Sequence, residues 1–303
     1  MPAKVDGTAS FGLDIRLPGM LYAAVRMCPM LGGSPGAINP ASAMAMPGVE
    51  RLVRLQGYAG SSAGFAVVGK TCWHAQQAAL AVQGDWQPRT VGAPDTRQIE
   101  KNLLLALERD GDTSYDKESV DTAELNSSRK VEALYRVPFL AHATLEPMNC
   151  TAQVLDGKVN LWVPTQVPQM TVTIAARVAG LPVENVYITT TPLGGGFGRR
   201  LEVDVVAQAV RAAMECGGRP VQLIWLREED MAHDSYRPMQ VAVLRAAVDP
   251  AGPLTSLRIK SAGDAILPRW VDRVMPALNA LVDMADMRTS EGLFDLPYGF
   301  AHQ

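Results

Sequence analysis

The chain has 303 residues, of which 48% are hydrophobic and 19% charged, and its net charge is −3. This is the composition of a globular chain long enough for two domains, and its slightly acidic balance argues against a nucleic-acid or membrane-surface partner. No apolar run is long enough to span a bilayer. The cysteines are widely spaced and form no CxxC pair. They are Cys28, Cys72, Cys150 and Cys216. Because an iron–sulfur cluster needs about four clustered thiolates, we expect none in this chain and free, buried or half-buried thiols instead.

The first part of the chain predicts a small α+β domain over residues 1–87. Two short apolar runs flank Leu17-Pro18-Gly19, which is typical of a hairpin. Residues 48–55 alternate like a half-buried strand, and residues 63–70 predict a buried strand. A helix is predicted from residue 72, ending near Gly84. Its apolar face would consist of Trp73, Ala75, Ala78, Ala79 and Val82.

A polar connection is predicted over residues 88–129. It opens with PRTVGAPDTRQ and ends in the acidic stretch ERDGDTSYDKESVD. This composition indicates a solvated connection rather than a packed core. A short helix over residues 97–107 interrupts it.

A second domain is predicted over residues 130–303. Its strands are predicted at 130–139, 157–165, 185–193, from 219 and at 239–249, and its helices at 168–182, 202–218 and 269–287. The last of these helices would break near Pro276.

The stretch TTTPLGGGFGRRLE, residues 189–202, joins a predicted strand to a predicted helix. Its spacing fits neither GxGxxG nor the P-loop, which counts against a nucleotide-dependent dehydrogenase. Glycines still let backbone N–H groups approach an anion, and Arg199 and Arg200 add positive charge. Phe197 would then pack on a flat ligand or shape a pocket. The alternative is a tight strand-to-helix connection with two solvated arginines.

Four segments of the chain resemble the large subunits of molybdenum hydroxylases, the xanthine dehydrogenase and aldehyde oxidase family, and their order and spacing fit that family. They are HATLEPMNCTA (142–152), LWVPTQVPQ (161–169), TTPLGGGFGRR (190–200) and WLREEDMAHDSYRPM (225–239). Residues 3–25 resemble the start of that family's α/β hammerhead domain. The Arg199-Arg200 pair matches the isoquinoline 1-oxidoreductase β-subunit type.

The resemblance implies an α+β fold in which a hammerhead domain (1–87) precedes the first part of a molybdopterin-binding domain (130–303). The cofactor contacts that it implies are Gln166, Gly195, Gly196, Phe197, Gly198 and Arg199. Gln166 resembles the residue whose buried amide donates to an oxo ligand of the metal; the alternative is a polar strand-end residue in a turn. Glu202 is displaced by one place from the family's pattern, so we assign it no substrate-orienting role.

The resemblance also implies a larger enzyme that oxidises N-heteroaromatics or aldehydes with oxygen from water. The family's catalytic glutamate has no counterpart before Gln303, so no catalytic residue is assignable and we expect a fragment that is inactive alone. Its cofactor would be a molybdenum–pterin in the cytosine dinucleotide form. Its partners would be a [2Fe–2S] small subunit, the remaining segments of the large subunit and a small-molecule substrate. The alternative is a non-catalytic scaffold that keeps the fold.

The N-terminal sequence lacks the basic and apolar segments of a secretory signal. The chain alone therefore predicts a cytoplasmic location. Periplasmic export with a partner, or from a longer precursor, is the alternative.

Other polar clusters have weaker claims to chemistry. His142 and Glu146 have the spacing of a metal pair on a helix, but Pro147 favours a turn and ligand sets need about three or four groups. Residues 228–230 are acidic and predict a solvated loop. Residues 233–235, His-Asp-Ser, are adjacent in sequence, which does not indicate a catalytic triad.

Overall fold

The computed structural model describes residues 2–89, 92, 95–117, 120, 121, 124, 127, 129–281, 289–299 and 302. The strands are β1 (Leu21–Met27), β2 (Ser34–Asn39), β3 (Val49–Leu55), β4 (Gly64–Gly69), β5 (Gln83–Gln87), β6 (Arg129–Val137), β7 (Asn149–Leu155), β8 (Lys158–Val163), β9 (Val186–Thr190), β10 (Val221–Ile224), β11 (Gln240–Val248) and β12 (Leu254–Gly263). The helices are α1 (Ala41–Met44), α2 (Cys72–Ala81), α3 (Thr96–Ala106), α4 (Pro168–Ala179), α5 (Asp204–Met214), α6 (Arg227–Ala232) and α7 (Leu267–Val274). Within these described ranges, no helix has the length and apolar character needed to cross a membrane.

The described residues form two compact units. The first unit takes its residues from 1–93 and 141–235, and the second from 94–140 and 236–303. Neither unit follows the boundaries predicted from composition, because each one combines segments that are distant in sequence.

The first unit is built on a seven-stranded sheet with the order β3-β4-β1-β10-β7-β8-β9. Strand β1 pairs antiparallel with β4 and parallel with β10, so that Leu21 lies opposite Val221. Three strands of the predicted first domain and four of the predicted second domain therefore share one sheet. Hydrophobic burial explains this pairing, because β1 and β10 are both largely buried and would otherwise present an unpaired edge.

Burial follows the sequence pattern where that pattern is strong. Every residue of β4 is buried, as its sequence without polar side chains predicts. Helix α5 is buried along most of its length and packs on β7. Helix α2 lies on β1 and β4 through Ala75, Ala78 and Ala79, whereas Trp73 is 65% exposed, so its predicted place on the apolar face is wrong.

Several local predictions differ from the structure. The run before Leu17-Pro18-Gly19 forms a short 3-10 turn, Gly12–Asp14, instead of the first strand of a hairpin. The β2–β5 ribbon and β12 had no clear pattern in the sequence, since β2 and β5 are rich in polar residues, glycine and proline. Residues 282–287 of the last predicted helix lie outside the described residues, and the part before them forms α7 and the 3-10 turn Pro276–Leu281.

The second unit contains an antiparallel sheet with the order β12-β11-β6. Helix α3, predicted within one residue of its observed bounds, packs on β11 and β12. Glu100 of α3 forms an ion pair with Arg136 of β6, at 2.9 Å.

Candidate functional site

The glycine run forms a loop between β9 and α5, and its tip has a left-handed backbone at three positions. These are Gly195 (φ +105°), Phe197 (φ +56°) and Gly198 (φ +103°). Glycine adopts such values freely, but an aromatic residue does so at a cost of about 1–3 kcal/mol. The Phe197 side chain is also 76% exposed, so neither core packing nor burial explains its position.

The tip of the loop presents unused hydrogen-bond donors. Within the part of the chain that the structure describes, the backbone N–H groups of residues 195–198 donate no hydrogen bond. Successive free N–H groups around left-handed residues form a concave surface that favours anions and oxygen-rich ligands. The tip can therefore bind a ligand through its backbone, as the glycine content predicts.

The two arginines that follow the tip point inward. Both are 1% exposed, so the alternative of two solvated arginines is wrong. The Arg199 guanidinium makes a two-point contact with Asp204, at 3.0 and 3.2 Å, and its Nε lies 3.1 Å from Asp234. It also lies over the Trp225 ring, 5.1 Å from the centroid. Burial alone would lower the pKa of Arg199, but the Asp204 and Asp234 carboxylates outweigh it and raise that pKa.

Arg200 ties the loop to the segment before β7. Its Nη2 donates to the backbone oxygen of Glu146 at 2.8 Å and lies 3.2 Å from the Glu146 carboxylate. Its Nε donates to the backbone oxygen of Gly195 at 2.7 Å. Burial lowers the pKa of Arg200 below its usual value, and the charge of Glu146 opposes that shift.

Glu146 fixes the start of the glycine run. Its carboxylate accepts hydrogen bonds from the backbone of Gly194 (2.9 Å) and Leu13 (3.1 Å), and its own backbone N–H donates to Gly194 (2.9 Å). A Cβ on Gly194 would lie 2.4 Å from the Cβ of Glu146, so this glycine is required by close packing. The spacing of Glu146 from His142 had suggested only a metal ligand, so this role could not be predicted from the sequence.

The base of the loop, Arg199 and Arg200, is buried and its positive charges are neutralised. The Arg199 guanidinium is paired with Asp204 and Asp234, and the Arg200 guanidinium with Glu146. Both positive charges are therefore neutralised by carboxylates below the tip. Attraction of an anion to the tip must come mainly from backbone N–H dipoles. The Arg199 side chain therefore acts as a support, and its backbone N–H donates to the backbone oxygen of Gly196 at 2.9 Å.

Gln166 lies beside the tip, in a bend between β8 and α4. It is exposed, so the expectation of a buried amide is wrong. Its backbone N–H donates to Arg200 at 3.0 Å, and a Cβ on Gly196 would lie 3.0 Å from its Oε1. The structure thus brings Gln166 together with Gly195, Gly196 and Phe197 on one surface.

His142 adds a group that the sequence did not assign to the loop. Its Nδ1 lies 2.9 Å from Asp234, and its backbone N–H donates to the same carboxylate. The pKa of Asp234 is lowered, because these hydrogen bonds and the Arg199 charge outweigh the effect of burial. A Cβ on Gly198 would lie 3.5 Å from the His142 Nε2, so the ring borders the loop.

The other polar clusters have structural partners. The segment around His142 and Glu146 is non-helical, as Pro147 predicts, and no metal-binding group of three His, Cys, Asp or Glu occurs among the described residues. The acidic residues 228–230 lie in α6 rather than in a solvated loop, and Asp230 is buried with its pKa raised by burial.

The adjacent residues His233, Asp234 and Ser235 form no triad. His233 contacts Glu229 and the backbone oxygen of Cys28, whereas Asp234 contacts His142 and Arg199. The four cysteines are free, three of them buried and one half-buried, as predicted.

The sequence profile of the molybdopterin cofactor-binding domain family matches residues 102–274, more than half of the chain. The chain belongs to this family. The matched range includes Gln166 and the whole glycine loop, so the family's characteristic domain contains the surface described above.

Curated relatives agree with this assignment. Isoquinoline 1-oxidoreductase subunit beta of Brevundimonas diminuta is 27% identical over 91% of this chain and 35% of its own length. The membrane-bound aldehyde dehydrogenase (pyrroloquinoline-quinone) of Gluconacetobacter polyoxogenes is 29% identical over 86% of this chain and 34% of its own length. The chain thus spans about a third of the length of these relatives.

A solved structure shows the same fold. Quinoline 2-oxidoreductase from Pseudomonas putida 86 superposes with a TM-score of 0.62 at 19% identity, over 86% of this chain and 38% of that one. This likeness confirms the predicted α+β fold.

Proposed function

We propose that this chain supplies part of the cofactor pocket of a molybdopterin-dependent hydroxylase large subunit. The observation that carries the proposal is the loop tip, where four consecutive backbone donors, Gly196 and an exposed Phe197 lie beside Gln166. A pterin has a flat ring system with many acceptors, which suits an aromatic side chain and free N–H groups. The residues present therefore fit the group.

Each residue at the tip has a distinct role in this proposal. The N–H groups of residues 195–198 would hold oxygen atoms of the cofactor, and Phe197 would pack against its ring system. The Gln166 amide would donate to an oxygen atom of the same group. Arg199 holds the backbone from below, so its contribution to binding is positional.

When bound, the molybdenum–pterin group supplies the two-electron oxidation that the reaction needs. The whole enzyme would oxidise an N-heteroaromatic or an aldehyde, with the added oxygen coming from water and two electrons and two protons leaving. We propose a [2Fe–2S] small subunit as the electron acceptor and the cytosine dinucleotide form of the pterin. A cytoplasmic location, with periplasmic export as the alternative, stays a prediction.

Molybdenum content tests the proposal. The chain would be purified from a host that makes the pterin cofactor, alone and with a candidate iron–sulfur subunit, and analysed by elemental mass spectrometry. We expect near-stoichiometric molybdenum in at least one preparation. Acid hydrolysis should release cytidine monophosphate if the pterin is the dinucleotide form.

A glycine variant tests the site itself. Gly196→Ala places a methyl group against Gln166 at the tip, so we expect a several-fold loss of molybdenum with an unchanged melting temperature. Gly111→Ala is the matched control, because a Cβ there would meet nothing within 4 Å. Equal molybdenum in both variants would argue against this surface.

The absence of molybdenum from both wild-type preparations would favour the scaffold alternative. The same samples should be analysed for pyrroloquinoline quinone, because the name of the Gluconacetobacter relative includes that cofactor. A bound quinone without molybdenum would contradict the proposal.

A further inference from the structure

Strand β6 is an open edge of the second unit's sheet. Its only strand partner in the described residues is β11, with Val137 opposite Gln240 and Arg129 opposite Val248. Nearly every residue of β6 is exposed, which is unusual for a strand of nine residues in a packed unit. Long, exposed edge strands are ready templates for pairing with another chain.

The hydrogen bonds beyond the end of β6 show which residues face the open edge. Leu140 and Arg237 exchange both backbone hydrogen bonds, at 3.2 and 2.9 Å, in the same register as the strands. Residues an even number of places from Leu140 therefore direct their backbone groups at β11. Residues an odd number of places away direct theirs outward.

Apart from Arg129, whose backbone is bonded to the Ser127 hydroxyl, the outward residues of β6 are Val131, Ala133, Tyr135 and Val137. Among the described residues, none of their backbone groups has a partner, which leaves four N–H and four C=O groups free along the edge. Their side chains share one face of the strand. Val131 is 48% and Tyr135 is 56% exposed, so this face is both apolar and open.

We propose that β6 pairs antiparallel with β6 of a second copy of this chain, which joins two three-stranded sheets into one of six strands. Centring the two-fold axis on Leu134 places Val131 opposite the second copy's Val137, and Ala133 opposite its Tyr135. All free backbone groups of the edge are then satisfied in both copies. Such an isologous contact closes on itself, so it yields a dimer rather than a filament.

Charge selects this register over its neighbours. With the axis at Leu134, Glu132 of each copy lies opposite Arg136 of the other, and opposite charges across a strand pair are favourable. Moving the axis to Ala133 would place Lys130 opposite Arg136, which is repulsive. Moving it to Tyr135 would leave Glu132 opposite Pro138.

The charged residues already have partners within the chain, and the dimer extends these pairs. Glu132 lies 2.6 Å from Arg245, and Arg136 lies 2.9 Å from Glu100, all on exposed surface. In the proposed register, each end of the interface would contain two acidic and two basic residues in alternation. The contact area of a single strand pair is small, so we expect a reversible, concentration-dependent dimer.

A charge swap on the full chain tests the proposal. Glu132→Arg or Arg136→Glu alone would place like charges opposite each other at two symmetric points, so we expect dimerisation about tenfold weaker. The double variant Glu132→Arg/Arg136→Glu restores opposite charges and should recover the dimer. Sedimentation velocity over a range of concentrations measures the effect, with Lys260→Glu on β12 as a control that should have none.

A backbone variant provides an independent test. Ala133→Pro removes an outward N–H without touching the β6–β11 ladder, so the dimer should weaken while the melting temperature changes by only a few degrees. A chain that is monomeric at every concentration would overturn the proposal. So would a dimer that survives both single charge variants, since another surface would then hold the copies together.

Discussion

The tip and the base of the glycine loop are adjacent in sequence and opposite in character. At the tip, residues 195–198 have free N–H groups, a left-handed backbone at three of the four positions and an exposed aromatic ring. At the base, Arg199 and Arg200 are buried and each is bound to carboxylates. A strained segment persists only when its surroundings determine its conformation, so the base is what allows such a tip to exist.

Buried ion pairs suit this supporting role. The desolvation of two charges offsets much of their attraction, so such pairs add little net stability compared with apolar packing. Removal of one partner, however, leaves an uncompensated charge in the interior. The base of the loop therefore determines where the tip lies more than it adds to the overall stability.

The largest expected effect comes from breaking the base. Glu146→Ala would leave Arg200 buried without its carboxylate and would remove the acceptor for Gly194 and Leu13. We expect a loss of about 3–5 kcal/mol in the free energy of unfolding, measured by urea denaturation.

An exposed acidic residue of the same unit provides the control. Glu215 pairs with Arg51 and Arg211 at the surface, so Glu215→Ala should lower stability by less than about 1 kcal/mol. If the two variants lose similar stability, the base does not differ from an ordinary surface ion pair.

Substitution at the tip should not lower the free energy of unfolding, in contrast to substitution at the base. Asparagine tolerates a left-handed backbone better than phenylalanine, so Phe197→Asn should leave stability unchanged or raise it by up to about 1 kcal/mol. The same change should lower the molybdenum content, because the exposed ring is lost. Thermal melts and elemental analysis of one preparation measure both quantities, with Phe197→Ala as the variant that keeps the strain. A marked loss of stability in Phe197→Asn would show that the ring packs within the protein.

Sequence patterns predicted β4 and α5 well. The buried run of β4 and the amphipathic period of α5 are local properties, so composition and spacing were enough. The position of the glycine run between a strand and a helix followed from the same reasoning. The polar ribbon of β2 and β5 was missed, because glycine and proline conceal its alternation.

Long-range pairing explains what the sequence did not show. Arg199 and Arg200 looked solvated because their partner Glu146 lies more than fifty residues away, and Asp234 lies more than thirty away. The pairing of β1 with β10 joins segments about two hundred residues apart, so a division by linear composition could not find the first unit. A charged residue beside glycines is ambiguous until the fold shows what surrounds it.

The smallest expected effect comes from His233, the neighbour of Asp234. It concerns whether His233, like Asp234, stabilises the segment that holds the base of the glycine loop. The ring of His233 lies 3.2 Å from the Glu229 carboxylate and 3.0 Å from the backbone oxygen of Cys28. Burial alone would lower the pKa of His233, but these hydrogen bonds and the Glu229 charge raise it above 6.5. The folded state thus holds this proton more tightly than the unfolded state does.

The sign of the pH dependence follows from this shift. The contribution of His233 to stability is complete below the unfolded pKa of about 6.5 and is lost as the pH rises through the higher folded value. We therefore expect unfolding midpoints to fall modestly as the pH rises from about 6 through the folded pKa of His233, and His233→Gln to flatten that slope. Glu229→Gln, which removes the charge that raises the pKa, should flatten it as well. An unchanged slope in both variants would place the pH dependence elsewhere and confine the support of the loop to Asp234, Asp204 and Glu146.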